Sequence, residues 1–439
     1  STIASRMRRV VITGIGVVSP LGIGQKAFWT ALVEGVVGIG RIRAFDPGGF
    51  PCQVAGEVPE YRIAEHVPKS YRKATKVMAR DIELAVIAAD DALRDSGLKT
   101  RGYSETPDID PRRFGCNIGA GLISAELNEL GAAMNTARDG NRLDLRAWGS
   151  TGMNNLTPLW LLKYLPNMLA CHVTIIHELK GPSNTITCAD ASSHLAIGEA
   201  FRTIQRGAAD LAICGGAESR LNPMGLLRQC LLGRMNTTSN DSPQTAVRPF
   251  SPDGAGTVIG EGGGLFVLEE MEHAKRRGAR IYAEVAGFGA SQDTAGLVAP
   301  APNGYPTATA ITRALADANA GPDEVDLIVP HGLGLASHDR AELQGLERAF
   351  DTALLTIPLA PIKAQVGNLA AGCGVDAAAA VLALHHGLVP PAAYAGPFID
   401  ELKLNVSKRP RPAGMDLVVS SVHSLGGQNA ALVFRKAAS

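Results

Sequence analysis

The feature that most constrains this chain is an alternation. Short runs rich in Val and Ile are followed by Ala-rich runs of helical character, from Val10-Val11-Ile12 near one end to Ala431-Leu432-Val433-Phe434 near the other. Apolar strands alternating with helices point to α/β layering, with sheets buried on both faces. The pattern is echoed inside the chain. Val11-Ile12-Thr13-Gly14-Ile15-Gly16 returns as Glu284-Val285-Ala286-Gly287-Phe288-Gly289, and each is followed some distance on by a helical run, Ala88 to Gly97 and Ala310 to Ala318. Two similar halves are therefore expected, 7–270 and 271–439. The break falls ahead of the basic stretch Lys275-Arg276-Arg277 and reads as a repeat boundary rather than a flexible linker. With 439 residues and 46% hydrophobic content, the chain can bury one large core or two merged ones.

Charge and cysteine usage narrow the function classes. Lys plus Arg (42) equals Asp plus Glu (42), so no global basic field argues for nucleic acid or an anionic membrane. Seven scattered cysteines form no CxxC pair and no disulfide framework, which fits a reducing cytoplasm as the expected location. Cys188 and Cys214, in apolar surroundings, read as small buried hydrophobes. No metal site is expected, because His385-His386 lacks Cys or carboxylate companions at ligand spacing. No phosphate-cradling loop or dinucleotide fingerprint follows a strand in the required form. No apolar run reaches the ~20 residues of a membrane span, and no signal-peptide core stands at the start. Ser1 to Ser5 read as a frayed end, and the polar stretch Asn236 to Thr245 as a surface loop.

The most informative local segment is Gly181-Pro182-Ser183-Asn184-Thr185-Ile186-Thr187-Cys188-Ala189-Asp190-Ala191-Ser192-Ser193, running into the helical Ile197-Gly198-Glu199-Ala200-Phe201. It resembles the active-site segment of the β-ketoacyl-acyl-carrier-protein synthases. In that family the catalytic Cys stands eight residues after the proline of a Gly-Pro, and an Ile-Gly pair begins seven residues after the Cys. Both counts lead here to Asp190, and Cys188 falls two residues early. Further pieces resemble the family in the same order: Arg9 to Gly22, Asp210 to Glu218, Arg248-Pro249-Phe250 leading to Gly260-Glu261-Gly262, and Leu425-Gly426-Gly427-Gln428-Asn429. The resemblance implies the thiolase fold, two βαβαβαββ halves in five α/β/α/β/α layers. It also implies an acyl-carrier protein as partner. No cofactor of the chain's own is expected, since phosphopantetheine would arrive on the carrier.

Carried over residue by residue, the resemblance marks a degenerate site. His331, with Asp339 eight and Glu342 eleven residues on, matches the family's first donor to the thioester oxygen. Lys363 matches the family lysine, expected to pair with Glu342 as structural support. Asn368 stands where the second donor is His, and an amide can still donate to an oxyanion. Leu333 and Leu335 replace two threonines that hold the pantetheine arm; each lost hydroxyl is worth about 1 kcal/mol, and the leucines are expected to narrow the tunnel. His423 and Leu425, ahead of the Gly426-Gly427 turn, stand where the family has Phe; the first of those Phe residues gates the acyl pocket and its backbone N–H helps form the oxyanion hole, so the resemblance implies that at 423 the N–H is kept and the apolar gate is lost. Ser251, Gly254 and Ala255 replace an Asp, Arg and Asp near the active site or the subunit contact.

An aspartate at 190 is compatible with the positive end of the helix that starts near 192, and as an N-cap it would need no further role. As a nucleophile it would form a mixed anhydride, higher in energy than the thioester it replaced. Three functional readings follow. One is a non-elongating partner of an active ketosynthase, similar to the chain-length factors of type II polyketide systems. Another is a malonyl-carrier decarboxylase working through His331 and Asn368, as a homodimer. The last is an elongating synthase with another nucleophile, for which Ser192 and Ser193 are the nearby hydroxyls but lie out of register.

Overall fold

In the computed structural model, which describes residues 7–437, the two echoed sequences are the first strands of two matching half-sheets; Ser1 to Ser5 lie outside the described residues. The first half contains β1 (Val10–Ser19), β2 (Phe114–Ala120), β3 (Ser183–Ile186), β4 (Leu211–Ser219) and β5 (Glu261–Glu270), in spatial order β3-β2-β4-β5-β1. The second contains β6 (Ala283–Gln292), β7 (Leu327–Val329), β8 (Leu417–His423) and β9 (Gln428–Arg435), in order β7-β8-β9-β6. A parallel bridge from Ile328 to Leu359 supplies the missing third member. Counted within its own half, each sheet runs third, second, fourth, fifth, first. The halves meet where β1 and β6 pair antiparallel, Val10 opposite Val285 and Ile12 opposite Ala283, so the strands form one continuous ladder.

Why the echo contains Gly-x-Gly is clear from the helices α1 (Arg80–Ser96) and α4 (Tyr305–Asp317). A Cβ on Gly14 or Gly16 would fall 2.2 Å from the Ala92 carbonyl oxygen and 1.9 Å from that of Ala88. On Gly287 or Gly289 it would fall 2.1 Å from the carbonyl oxygens of Ala314 and Ala310. Backbone rests on backbone in both halves, and the glycine spacing of two residues matches one turn of the facing helix.

The middle layer is built from α3 (Ser192–Gln205) and α6 (Gly374–His386). Every residue of α6 from Gly374 to Leu384 is buried, and the Ala-rich sequence Ala377-Ala378-Ala379-Ala380 keeps the helix thin enough to lie between two sheets. Ile197, Phe201 and Ile204 of α3 join it in a core with Ile12, Phe266, Leu432 and Phe434. The outer layers are α1 with α2 (Met168–His177) over the first half, and α4 with α5 (Ala336–Phe350) over the second. The five-layer thiolase architecture expected from the sequence is the one present.

Two local expectations are refined by the structure. Cys214 is fully buried, but Cys188 is only half-buried. The stretch Asn236 to Thr245 lies at the surface except for Asn236, which is 1% exposed and donates from Nδ2 to the Ala246 carbonyl at 2.7 Å. At the far end of the sheet, no strand among the described residues pairs with the outer side of β3, and Ser183 and Asn184 are exposed.

Candidate active site

After β3 the chain turns through Ala189, whose φ of +47° is left-handed, and this bend carries Asp190 into the interior ahead of α3. Asp190 does not cap the helix. Its carboxylate accepts no backbone N–H at the start of α3, and Ser192, the first residue of that helix, fastens the turn before it: its hydroxyl accepts from Cys188 N at 2.8 Å and donates to the Ala189 carbonyl at 2.7 Å. Ser193 donates to the Ala371 carbonyl. Both hydroxyls are therefore engaged in structure.

Asp190 is fully buried, and three side chains from three other segments converge on its Oδ2: Arg234 Nη2 at 3.2 Å, Asn368 Nδ2 at 3.3 Å and His331 Nε2 at 3.4 Å. Burial pushes the carboxyl up, but the hydrogen bond from His331 and the charges of Arg234 and Arg220 hold it well below the usual carboxylate range. His331 is held well below the usual imidazole range by burial and by the nearby Lys363 and His423. At neutral pH the centre is therefore an aspartate anion facing a guanidinium, with a neutral imidazole beside them. Arg234 is 3% exposed, and sequence reasoning did not identify it. The only sequence-level signal was indirect: a buried carboxylate needs a counter-charge.

His331 follows β7 in a turn fixed by α5. Glu342 accepts from the backbone of His331 at 2.7 Å and of Gly332 at 2.8 Å, and Asp339 accepts from Phe250 N at 2.7 Å and Gly334 N at 3.0 Å. Burial and the adjacent Glu342 push Asp339 up to about 8. Glu342 is thus a support, but not to Lys363. The lysine pairs with Asp376 of α6 at 2.5 Å, because Asp376 lies closer and Glu342 is occupied by backbone N–H groups.

Asn368 is oriented from both ends. While Nδ2 faces Asp190, Oδ1 accepts from Ala370 N at 3.2 Å and from Cys373 Sγ at 3.8 Å. His423, the last residue of β8, packs its ring against that of His331 at 4.3 Å, with Nε2 3.6 Å from Glu342. It is buried at a strand end. The turn after it is left-handed at Gly426 and Gly427 (φ +88° and +93°), and Gly426 N donates to the Leu297 carbonyl at 3.0 Å.

A cavity of about 20 Å³ leads in between this turn and the segment 296–301, walled by Arg234, His338, Glu342, His423 and Leu425. That is room for one or two waters. Leu333 and Leu335 do not line it: Leu333 is fully buried and Leu335 starts α5. The narrowing comes instead from His338, whose Nε2 donates to the Val298 carbonyl at 3.1 Å, and from Leu425. Gly254 packs against the turn after His331, with Ala336 N donating to its carbonyl at 3.0 Å; Ala255 bridges Leu335, and the buried Ser251 accepts from Asp253 N. The structure also gathers donors that the sequence had left apart. One donor atom each of His331, Cys373 and Asp376 lie within 4.8 Å of one another, although the Lys363 ammonium already occupies the cation position beside Asp376.

Comparison with known proteins accords with this geometry. The β-ketoacyl synthase N-terminal domain matches residues 7–274 and the β-ketoacyl synthase C-terminal domain residues 282–395. The 3-oxoacyl-[acyl-carrier-protein] synthase 2 of Vibrio harveyi is 33% identical over 434 residues, covering 98% of this chain and 99% of that protein. The mitochondrial 3-oxoacyl-[acyl-carrier-protein] synthase of Arabidopsis thaliana is 32% identical, covering 97% and 93%. Among solved structures, the ishigamide ketosynthase/chain length factor superposes with a TM-score of 0.84 at 28% identity, covering 99% of this chain and 100% of that one. A type II polyketide complex of an acyl-carrier protein with its hexaketide-bound ketosynthase gives 0.82 at 26%, covering 99% and 100%. With the thiolase fold, the donors at 331 and 368 and matches along nearly its whole length, the chain belongs to the β-ketoacyl synthase family.

Proposed function

We propose that the chain is a non-elongating, chain-length-factor-like partner of an active ketosynthase in fatty-acid or type II polyketide synthesis. One observation carries this. The point where donors to a thioester oxygen would converge is filled by the chain's own Asp190 carboxylate, neutralised by Arg234. A substrate oxyanion placed there would have to displace a buried anion from its counter-ion. The entrance of about 20 Å³ and the engaged hydroxyls of Ser192 and Ser193 argue in the same direction and against an elongating synthase. The open edge of β3 and exposed apolar residues such as Leu145, Leu159 and Leu161 suit a partner of the same fold, and the acyl-carrier protein with its phosphopantetheine would be met by the pair. No described helix is long and apolar enough to cross a membrane; a cytoplasmic location remains part of the proposal. Co-expression with a cysteine-bearing ketosynthase, read by native mass spectrometry, should give a heterodimer. Stable homodimers alone would overturn the reading.

A second reading is malonyl-carrier decarboxylation, favoured by His331 and Asn368 lying on one oxygen as a donor pair. Intact-mass analysis of malonyl-carrier protein should show no acetyl product if the first reading holds. Acetyl product that disappears in His331→Ala would select the second.

A further inference from the structure

The groups that would serve a thiol at 190 lie within reach of a different cysteine. Cys373 stands immediately before α6, in the second half, as Asp190 stands before α3 in the first. It is fully buried at the N-cap of a 13-residue helix, where the helix dipole favours negative charge on sulfur. Its Sγ donates to Asn368 Oδ1 at 3.8 Å, packs beside Ala191, and shares with His331 and Asp376 the cluster within 4.8 Å. His331 itself is fully buried; its Nε2 faces Asp190 at 3.4 Å, and its Nδ1 has no hydrogen-bond partner. The Lys363 ammonium already pairs with Asp376, so the carboxylate of this cluster is engaged by a cation of the chain itself.

We propose that Cys373 is an acyl-accepting thiol, with His331 as its general base, and that it takes small acyl groups from thioesters. In the step, a ring nitrogen of His331 removes the Sγ proton as sulfur attacks the thioester carbonyl. A new C–S bond forms and the old one breaks, and the departing thiolate takes the proton from the imidazolium. One thioester replaces another, so the exchange avoids the anhydride that acylation of Asp190 would require. At rest, burial holds the thiol well above its usual range, and His331 is neutral; these are the protonation states from which the step begins. The acyl group is small because Cys373 is fully buried, in one apolar cluster with Ala191, Val422 and Ala430. The inference goes beyond the assignment above, since a non-elongating subunit can hold an acyl group without condensing it, and failure to pair with a synthase would leave it standing.

The test is incubation of the full chain with S-acetyl-N-acetylcysteamine, followed by peptide mass mapping of all seven cysteines. The expected result is acetylation at Cys373, absent in Cys373→Ala and slowed about 100-fold in His331→Ala, the range of a lost general base. Cys373→Ser, checked for fold by circular dichroism, serves where the alanine variant is unstable. Acetylation only at the half-buried Cys171, Cys188 or Cys230, no acetylation at all, or a Cys373 rate indifferent to His331→Ala would each overturn the proposal.

Discussion

The two halves of the molecule have the same strand order, yet they bring opposite chemistry to the centre. The helix that follows the third strand of the first half begins beside a carboxylate, Asp190. Its counterpart in the second half begins beside a thiol, Cys373. Each half also carries a buried ion pair near the site, Asp190 with Arg234 at 3.2 Å and Asp376 with Lys363 at 2.5 Å. On the proposed function the first-half pair fills the place of a substrate oxygen, whereas the second-half pair joins the lysine to the inner helix α6. The same structural position therefore carries a carboxylate on one side of the repeat and a thiol on the other.

The largest effects should come from splitting these pairs. Arg234→Ala and Lys363→Met each leave a buried carboxylate uncompensated, and each should lower unfolding free energy by about 3–5 kcal/mol in urea titrations. In Asp190→Asn/Arg234→Met most of that loss should return; a double variant no more stable than Arg234→Ala would show that the pair is not the reason. Next come Gly16→Ala and Gly289→Ala, which press a methyl into a helix carbonyl and should cost about 1–3 kcal/mol each. Similar values in the two halves would support their equivalence, and a loss in one alone would break it.

Acid should act on both halves in the same direction. Burial lowers His177 of the first half and His338 of the second to about 4. The unfolded chain protonates these groups near 6.5 and the folded chain does not. The unfolded state therefore binds more protons between 6.5 and 4, and stability falls as pH drops through that window. His177→Phe should flatten the slope of the urea midpoint against pH; an unchanged slope would place the acid sensitivity elsewhere. Asp339, raised to about 8, works the other way, and its contribution is lost as pH rises from about 4 towards 8. The smallest effect expected is from Ser192→Ala and Ser193→Ala, about 1 kcal/mol each, with acetylation of Cys373 unchanged.

Much of this was legible in the chain because it resides in local spacing. The Gly-x-Gly echo revealed the repeat, and the counts from Pro182 and Ile197 fixed Asp190. The registers of His331, Lys363 and Asn368 placed three residues that do meet at the site. What was not legible depends on topology. Arg234 and Asn368 reach Asp190 across 44 and 178 residues, and no periodicity encodes that approach. Lys363 was expected to pair with Glu342, but Glu342 is held by the turn it braces and Asp376 is one helix away. Leu333 stood in an arm-binding motif yet belongs to the core. The polar strand β3 carries too little hydrophobic pattern to stand out.

The glycines beneath α1 and α4 bear on how such a protein changes over generations. Because backbone atoms alone set the distance from helix to sheet there, the frame holds no record of which side chains occupy the starts of the two inner helices. Substitutions at 190, 234 or 373 leave those backbone contacts untouched. A lineage built on this frame can abandon one reaction and take up another while the sheet and its outer helices stay in place, provided that the buried charges at 190 and 234 change together.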